Sequence, residues 1–201
     1  MTPFSTVQGI AAPLRAANID TDVIMPKQFL KGIDRSGLDR GLFHDLRFDE
    51  AGRERADFIL NEPAWQGASF LVVGDNFGCG SSREHAVWGM MQFGVRALIG
   101  TSFAGIFFDN CARNGLLAIT LPEAQVARLM ALAAQPATNT MTIDLERQTI
   151  SAGDTQTGFE IDAVRKQALL QGLDAIGHTL TMRADILEFE RQHLAANPWF
   201  Q

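Results

Sequence analysis

Cys79 and Cys111 are the only two cysteines in the 201 residues. That is too few for a disulfide framework. With no further Cys or His at ligand spacing, the pair also falls short of a metal site. Basic residues are outnumbered, 17 Lys and Arg against 23 Asp and Glu, for a net charge of −6. No basic stripe is available to displace counterions from phosphates, which argues against a nucleic-acid partner. No apolar run approaches the length of a membrane span, and the first nine residues lack the charged and apolar regions of a signal peptide. P-loop and dinucleotide fingerprints are absent too. No Gly-Lys-Ser/Thr follows the glycines near residue 78, and Gly74, Gly78 and Gly80 do not fit G-x-G-x-x-G. These absences leave the expectation of a soluble, cytoplasmic chain with no membrane role. A hydrophobic fraction of 46% and a charged fraction of 20% suit one globular domain over residues 1–201 with a sizeable core.

What the chain does carry is concentrated at residues 74–86. An apolar run at 68–73 reads as a buried strand, and 84–93 reads as a helix. The glycines at 74, 78 and 80 between them let the backbone bend sharply and approach a ligand. Ser81 or Ser82 fits a helix N-cap, with Glu84 completing a capping box to Ser81. A turn of this kind is suited to an anion, because free N–H groups converge on the positive helix end. Arg83 adds a fork of donors that matches a carboxylate. Spacing alone leaves this reading level with a plain one, in which Ser-Ser-Arg-Glu is only a cap and a surface charge pair.

Elsewhere the pattern predicts an α/β fold. Residues 5–12 alternate as a strand that Pro13 ends. Asp20 and Asp22, around Thr21, read as a turn before Pro26 rather than a metal or acid/base pair, since no third ligand follows. Residues 29–42, with three glycines, read as a loop, and 43–60 as surface connection in which His44 packs. Trp65 reads as core. A strand at 95–100, a helix at 103–113 capped by Thr101 or Ser102, and a strand at 116–121 give a parallel βαβ core. That helix should bury Phe103, Ile106, Phe107 and Asn110. A helix from Pro122 to residue 134 should bury Val126, Leu129, Met130 and Ala133. Residues 141–150 and 158–162 read as an antiparallel hairpin, 163–172 and 184–196 as helices, and the last five residues as loose.

The string Asn76-Phe77-Gly78-Cys79-Gly80-Ser81-Ser82-Arg83-Glu84-His85-Ala86 resembles the signature of the swivelling domain of the aconitase superfamily, nearest the small-subunit family of bacterial 3-isopropylmalate dehydratase. Asn18-Ile19-Asp20-Thr21-Asp22 through Leu30, Ser102-Phe103-Ala104 with Asn110, and Gly172 to Gly177 resemble further segments of that family, in the same order. The resemblance covers nearly the whole chain. It implies a swivelling β/β/α domain of the aconitase C-terminal type: a parallel βαβ core, an added antiparallel hairpin and C-terminal helices.

The resemblance also implies a hydro-lyase that isomerises 2-isopropylmalate to 3-isopropylmalate in leucine biosynthesis. It makes Ser81 the base, Ser82 its support and Arg83 a holder of substrate carboxylate, with backbone N–H groups around Gly78 and Gly80 completing an anion pocket. Leu30, Lys31, Gly32 and Ile33 would border the variable alkyl group, and Asp20 and Asp22 lie close by. The superfamily's [4Fe-4S] cluster, its Lewis acid, would sit on a separate large subunit, with no metal on this chain and the active site formed between the two. Cys79 reads as a small residue in a tight turn, and His85 is left without a catalytic role. One departure is Val87, where close members commonly have Pro. Together with the 29–33 loop it leaves open a related alkylmalate such as citramalate as the substrate.

Overall fold

The computed structural model describes residues 1–32, 35–81 and 83–200. A mixed sheet runs through it, built from β1 (Thr6–Leu14), β2 (Phe70–Val73), β3 (Ala97–Gly100), β4 (Leu117–Thr120), β5 (Thr140–Asp144), β6 (Thr149–Ala152) and β7 (Thr155–Gly158). The strand order is β4-β3-β2-β1-β5-β6-β7. Strands β1 to β4 are parallel, and β1, β5, β6 and β7 pair antiparallel.

β1 joins the two halves by splitting its length between them. Thr6 to Ile10 pair with β5, and Ala11 to Leu14 pair with β2. Pro13 therefore does not end the strand, as the sequence predicts; it lies inside it, opposite Val72. The Ala11 N–H points to the β5 side, where it reaches the Asn139 carbonyl at 2.8 Å. Pro13, two residues on along the same edge, lies beyond the end of β5, so its missing N–H leaves no ladder bond unmade.

The helices are α1 (Thr21–Ile24), α2 (His44–Arg47), α3 (His85–Phe93), α4 (Gly105–Asn114), α5 (Glu123–Ala133), α6 (Ala163–Gln171), α7 (Ala175–Thr181) and α8 (Arg183–Ala196). Strand alternation sorts the core into two layers. Leu71, Val73 and Leu98 face one cluster, with Val87 and Met90 of α3 and Phe107 and Cys111 of α4. Phe70, Val72, Ala97 and Ile99 face the other, with Val126, Leu129, Met130 and Ala133 of α5 and the inner residues of β5 and β6. A sheet covered on both faces explains the uninterrupted apolar run of β2. Trp65 is core as expected, its indole N–H donating to the Ala133 carbonyl at 2.8 Å. His44 packs between Phe29 and Phe48, at 5.0 and 5.2 Å.

Several expectations are corrected. The hairpin is a three-stranded meander, because residues 145–148 turn the chain with Gln148 at φ 54° and the Arg147 N–H on Asp144 Oδ1. The expected strand at 158–162 is absent beyond Gly158. Helix α4 starts at Gly105 with no side-chain cap, and Ile106 is 60% exposed. Helix α7 precedes the expected C-terminal helix, and α8 has no buried residue.

Candidate active site

The loops that leave the C-terminal ends of β1, β2 and β3 meet in one place, which is where ligands bind on parallel sheets. The β2 loop lies between the other two and is laced to both. On one side Asn18 N–H donates to the Asp75 carbonyl at 2.8 Å, Gly78 N–H to Ile19 at 2.8 Å, and Thr21 N–H to Cys79 at 2.9 Å. On the other side, Ala104 N–H donates to the Phe77 carbonyl at 3.0 Å, and Asn76 N–H to Ser102 Oγ at 2.9 Å.

Two glycines permit this close approach. A Cβ on Gly78, which has φ +77°, would sit 2.2 Å from the Phe107 ring. One on Gly80 would meet the Asp20 Cβ at 3.2 Å. Gly78 thus lets the loop pack onto Phe107, and Gly80 lets the Ser81 segment approach Asp20.

Asp20 caps α1, accepting from Val23 N–H at 2.8 Å, so the turn reading of this residue holds. Thr21, 1% exposed, places its hydroxyl 2.7 Å from Ser81 Oγ. The Ser81 N–H also reaches Thr21 Oγ1, at 3.3 Å. Arg83 pairs through its guanidinium with the Asp22 carboxylate. A pair of hydroxyls and an ion pair therefore join the two motifs side by side.

This geometry corrects the expected cap. Helix α3 begins at His85, its N-cap is Glu84, and no side chain caps it. Ser81 is four residues short of the first helical residue, with its hydroxyl engaged by Thr21. Glu84 turns to Asn114 Nδ2, at 2.6 Å, and Asn114 Oδ1 accepts the Trp88 indole N–H at 2.8 Å. His85 stacks against Trp88, 4.7 Å between ring centres, and is not on a helical face with Ser81. Val87 is fully buried in the first turn of α3, and its N–H bonds Glu84. Of the amides expected in the anion pocket, that of Gly78 donates to the Ile19 carbonyl and that of Ser81 to Thr21 Oγ1.

Ser82 and Ile33 lie outside the described residues. Leu30 is half-buried and packs on the first core cluster, whereas Lys31 and Gly32 are exposed. Asp75, which the sequence did not single out, ties the β2 loop to the loops after β1 and β3. It accepts from the Thr101 hydroxyl at 3.1 Å and from the Ser102 hydroxyl, and those bonds hold its carboxyl below the usual range. Asp75, Thr101 and Arg15 line a cavity of about 660 Å³ together with Pro122 and Glu123. Ser81 and Arg83 are not among its lining residues.

The donor set does not fit an iron–sulfur cluster, which thiolates must hold. Cys111 is fully buried on α4, and burial pushes its thiol up. Cys79 directs its sulfur to the Asn18 carbonyl at 3.4 Å. Among the described residues, no group of three His, Cys, Asp or Glu is placed to hold a metal ion. No helix among them is long and apolar enough to cross a membrane.

A family model described as the aconitase C-terminal domain matches residues 1–124, and one described as LeuD_N matches residues 127–163. The 3-isopropylmalate dehydratase small subunit 1 of Mannheimia succiniciproducens is 56% identical over 201 residues, covering 100% of both chains. The 3-isopropylmalate dehydratase small subunit 2 of Salmonella typhimurium is 53% identical, covering 100% of this chain and 97% of the relative. The crystal structure of 3-isopropylmalate dehydratase (leuD) from Methanocaldococcus jannaschii superposes with a TM-score of 0.66 at 25% identity, over 92% of this chain and 99% of that one.

Proposed function

The chain belongs to the family of 3-isopropylmalate dehydratase small subunits, and from that premise we propose that it acts as one domain which completes a hydro-lyase with a large subunit. The reaction is the isomerisation of 2-isopropylmalate to 3-isopropylmalate, a step of leucine biosynthesis in the cytoplasm. The observation that carries this reading is the Ser81–Arg83 segment, joined to Thr21 and Asp22 at the C-terminal end of the parallel sheet.

In dehydration, Ser81 Oγ takes the proton from the carbon next to a carboxylate, and hydroxide leaves the neighbouring carbon as the double bond forms. In rehydration hydroxide adds to the carbon that lost the proton, and Ser81 delivers its proton to the carbon that lost the hydroxide. Arg83 holds a substrate carboxylate in a two-pronged bond, so that geometry is kept between the two steps. Ser82 supports the base. The region around Gly80 and the segment Leu30, Lys31, Gly32 and Ile33 borders the substrate, with Leu30 and Ile33 offering apolar contact to the alkyl group. A [4Fe-4S] cluster held by the large subunit would supply the Lewis acid for the departing hydroxide.

Anaerobic turnover of 2-isopropylmalate, measured for this chain alone and mixed with the large subunit from the same source, tests the reading. Activity only in the mixture, lost in Ser81→Ala, is the expected result. Turnover of citramalate in place of 2-isopropylmalate would overturn the substrate. Activity of this chain alone would overturn the division of the site.

A further inference from the structure

The hydrogen bond between Thr21 and Ser81 has a direction. Each hydroxyl carries one proton and can accept. Thr21 Oγ1 already accepts the Ser81 N–H at 3.3 Å, so its own proton is available to donate. Thr21 is 1% exposed, which keeps water from taking that proton. Among the described residues, the Ser81 oxygen at 2.7 Å is the acceptor its hydroxyl meets. The opposite direction would strand a buried donor, which is costly. Thr21 therefore donates, Ser81 accepts, and the proton of the exposed Ser81 hydroxyl is directed elsewhere.

Thr21 is also held firmly. Its N–H donates to the Cys79 carbonyl at 2.9 Å, and its carbonyl accepts the Met25 N–H at 2.9 Å. A β-branched side chain on such a backbone has few rotamers open to it. The oxygen that faces Ser81 is thus fixed from both sides of the site.

We propose that Thr21 is the positioning residue of the Ser81 base: it aims Oγ and gives it a buried hydrogen-bond donor that strengthens when Ser81 is an alkoxide. This rests on the reading of Ser81 as the base. Thr21 keeps its proton throughout; the proton that moves travels between the substrate carbon and Ser81 Oγ. A bond to a charged oxygen is about twice as strong as a neutral one, so Thr21 favours the deprotonated base over the resting hydroxyl.

The test is steady-state kinetics of the assembled two-subunit enzyme on 2-isopropylmalate, across pH, for Thr21→Val, Thr21→Ser and Ser81→Ala. Thr21→Val, nearly isosteric, should lower kcat about 10- to 100-fold, with KM within about twofold. It should also move the rise of kcat to higher pH. Thr21→Ser, which restores the donor, should recover most of the rate and the original profile. A Thr21 that only filled space would give a Val variant with unshifted profile and near-normal kcat, and that result overturns the proposal. If Thr21→Val does not assemble, Thr21→Cys, with a weaker donor, carries the same comparison, and an unshifted profile there overturns it equally. Ser81→Ala separates the two failures. If it keeps turnover, the base assignment falls; if it is inactive while Thr21→Val behaves as wild type, only the role of Thr21 falls.

Discussion

The Arg83 guanidinium and the Asp22 carboxylate form an ion pair across the gap between the loops that follow β2 and β1. The arginine side chain is 18% exposed and the aspartate 48% exposed, so the carboxylate sits on the open side of the pair. In the proposed function a substrate carboxylate is held by the same guanidinium. Lysine at this position keeps the charge but not the fork. Arg83→Lys in the assembled enzyme is expected to cut kcat/KM about 10- to 100-fold, mainly through KM, since one charge-assisted bond is worth about 1.5–3 kcal/mol. Its thermal midpoint should barely move, because partly exposed ion pairs contribute about 0–1 kcal/mol. A variant with normal kcat/KM would remove Arg83 from substrate binding.

Asp75 gives a pH signature. Hydroxyls of Ser102 and Thr101 hold its carboxyl below the ordinary range. A folded pKa below the unfolded value of about 3.9 means stability that is present above that pH. It is lost as pH falls through the folded pKa. Urea midpoints of the wild type and Asp75→Asn should therefore differ at pH 7 and converge as pH falls through the lowered folded pKa of Asp75. A gap that stays constant over this range would mean that the carboxylate charge plays no part.

Gly78→Ala should be destabilising. The added methyl would lie 2.2 Å from the Phe107 ring on a backbone at φ +77°. Backbone strain of about 1–3 kcal/mol adds to an overpacking cost of about 1–3 kcal/mol. At this chain length each kcal/mol lowers Tm by about 2–4 °C. Calorimetry should show a fall of several degrees, and an unchanged Tm would mean that the loop can move off Phe107 freely.

The two cysteines should differ in reactivity. Cys111 is fully buried with its thiol pushed up, whereas Cys79 is half-buried in the site loop. Thiol labelling of the folded chain should modify Cys79 and spare Cys111, with the second thiol appearing only in denaturant. Mass mapping of the labelled peptides checks this, and early labelling of Cys111 would contradict the packing of α4.

Local pattern was enough where one rule governed. The period of α5 fixes its buried side: Val126, Leu129, Met130 and Ala133 all lie in the core as expected. It failed where two rules compete. Alternation at 141–150 continues through Leu145 to Gln148, none of them Gly or Pro, so a turn is hidden inside an apparent strand. Ser81 has the residue type and spacing of a helix cap, but a tertiary partner claims its hydroxyl.

The chain by itself determined the family, the parallel core and the residue types of the site, because these depend on neighbours a few positions apart. Only the tertiary structure decided that Thr21 meets Ser81 and that Asp22 meets Arg83. Each of those pairs is separated by 60 residues or more. They are brought together because β1 and β2 lie side by side and the glycine-bent loops after them pack without side chains between.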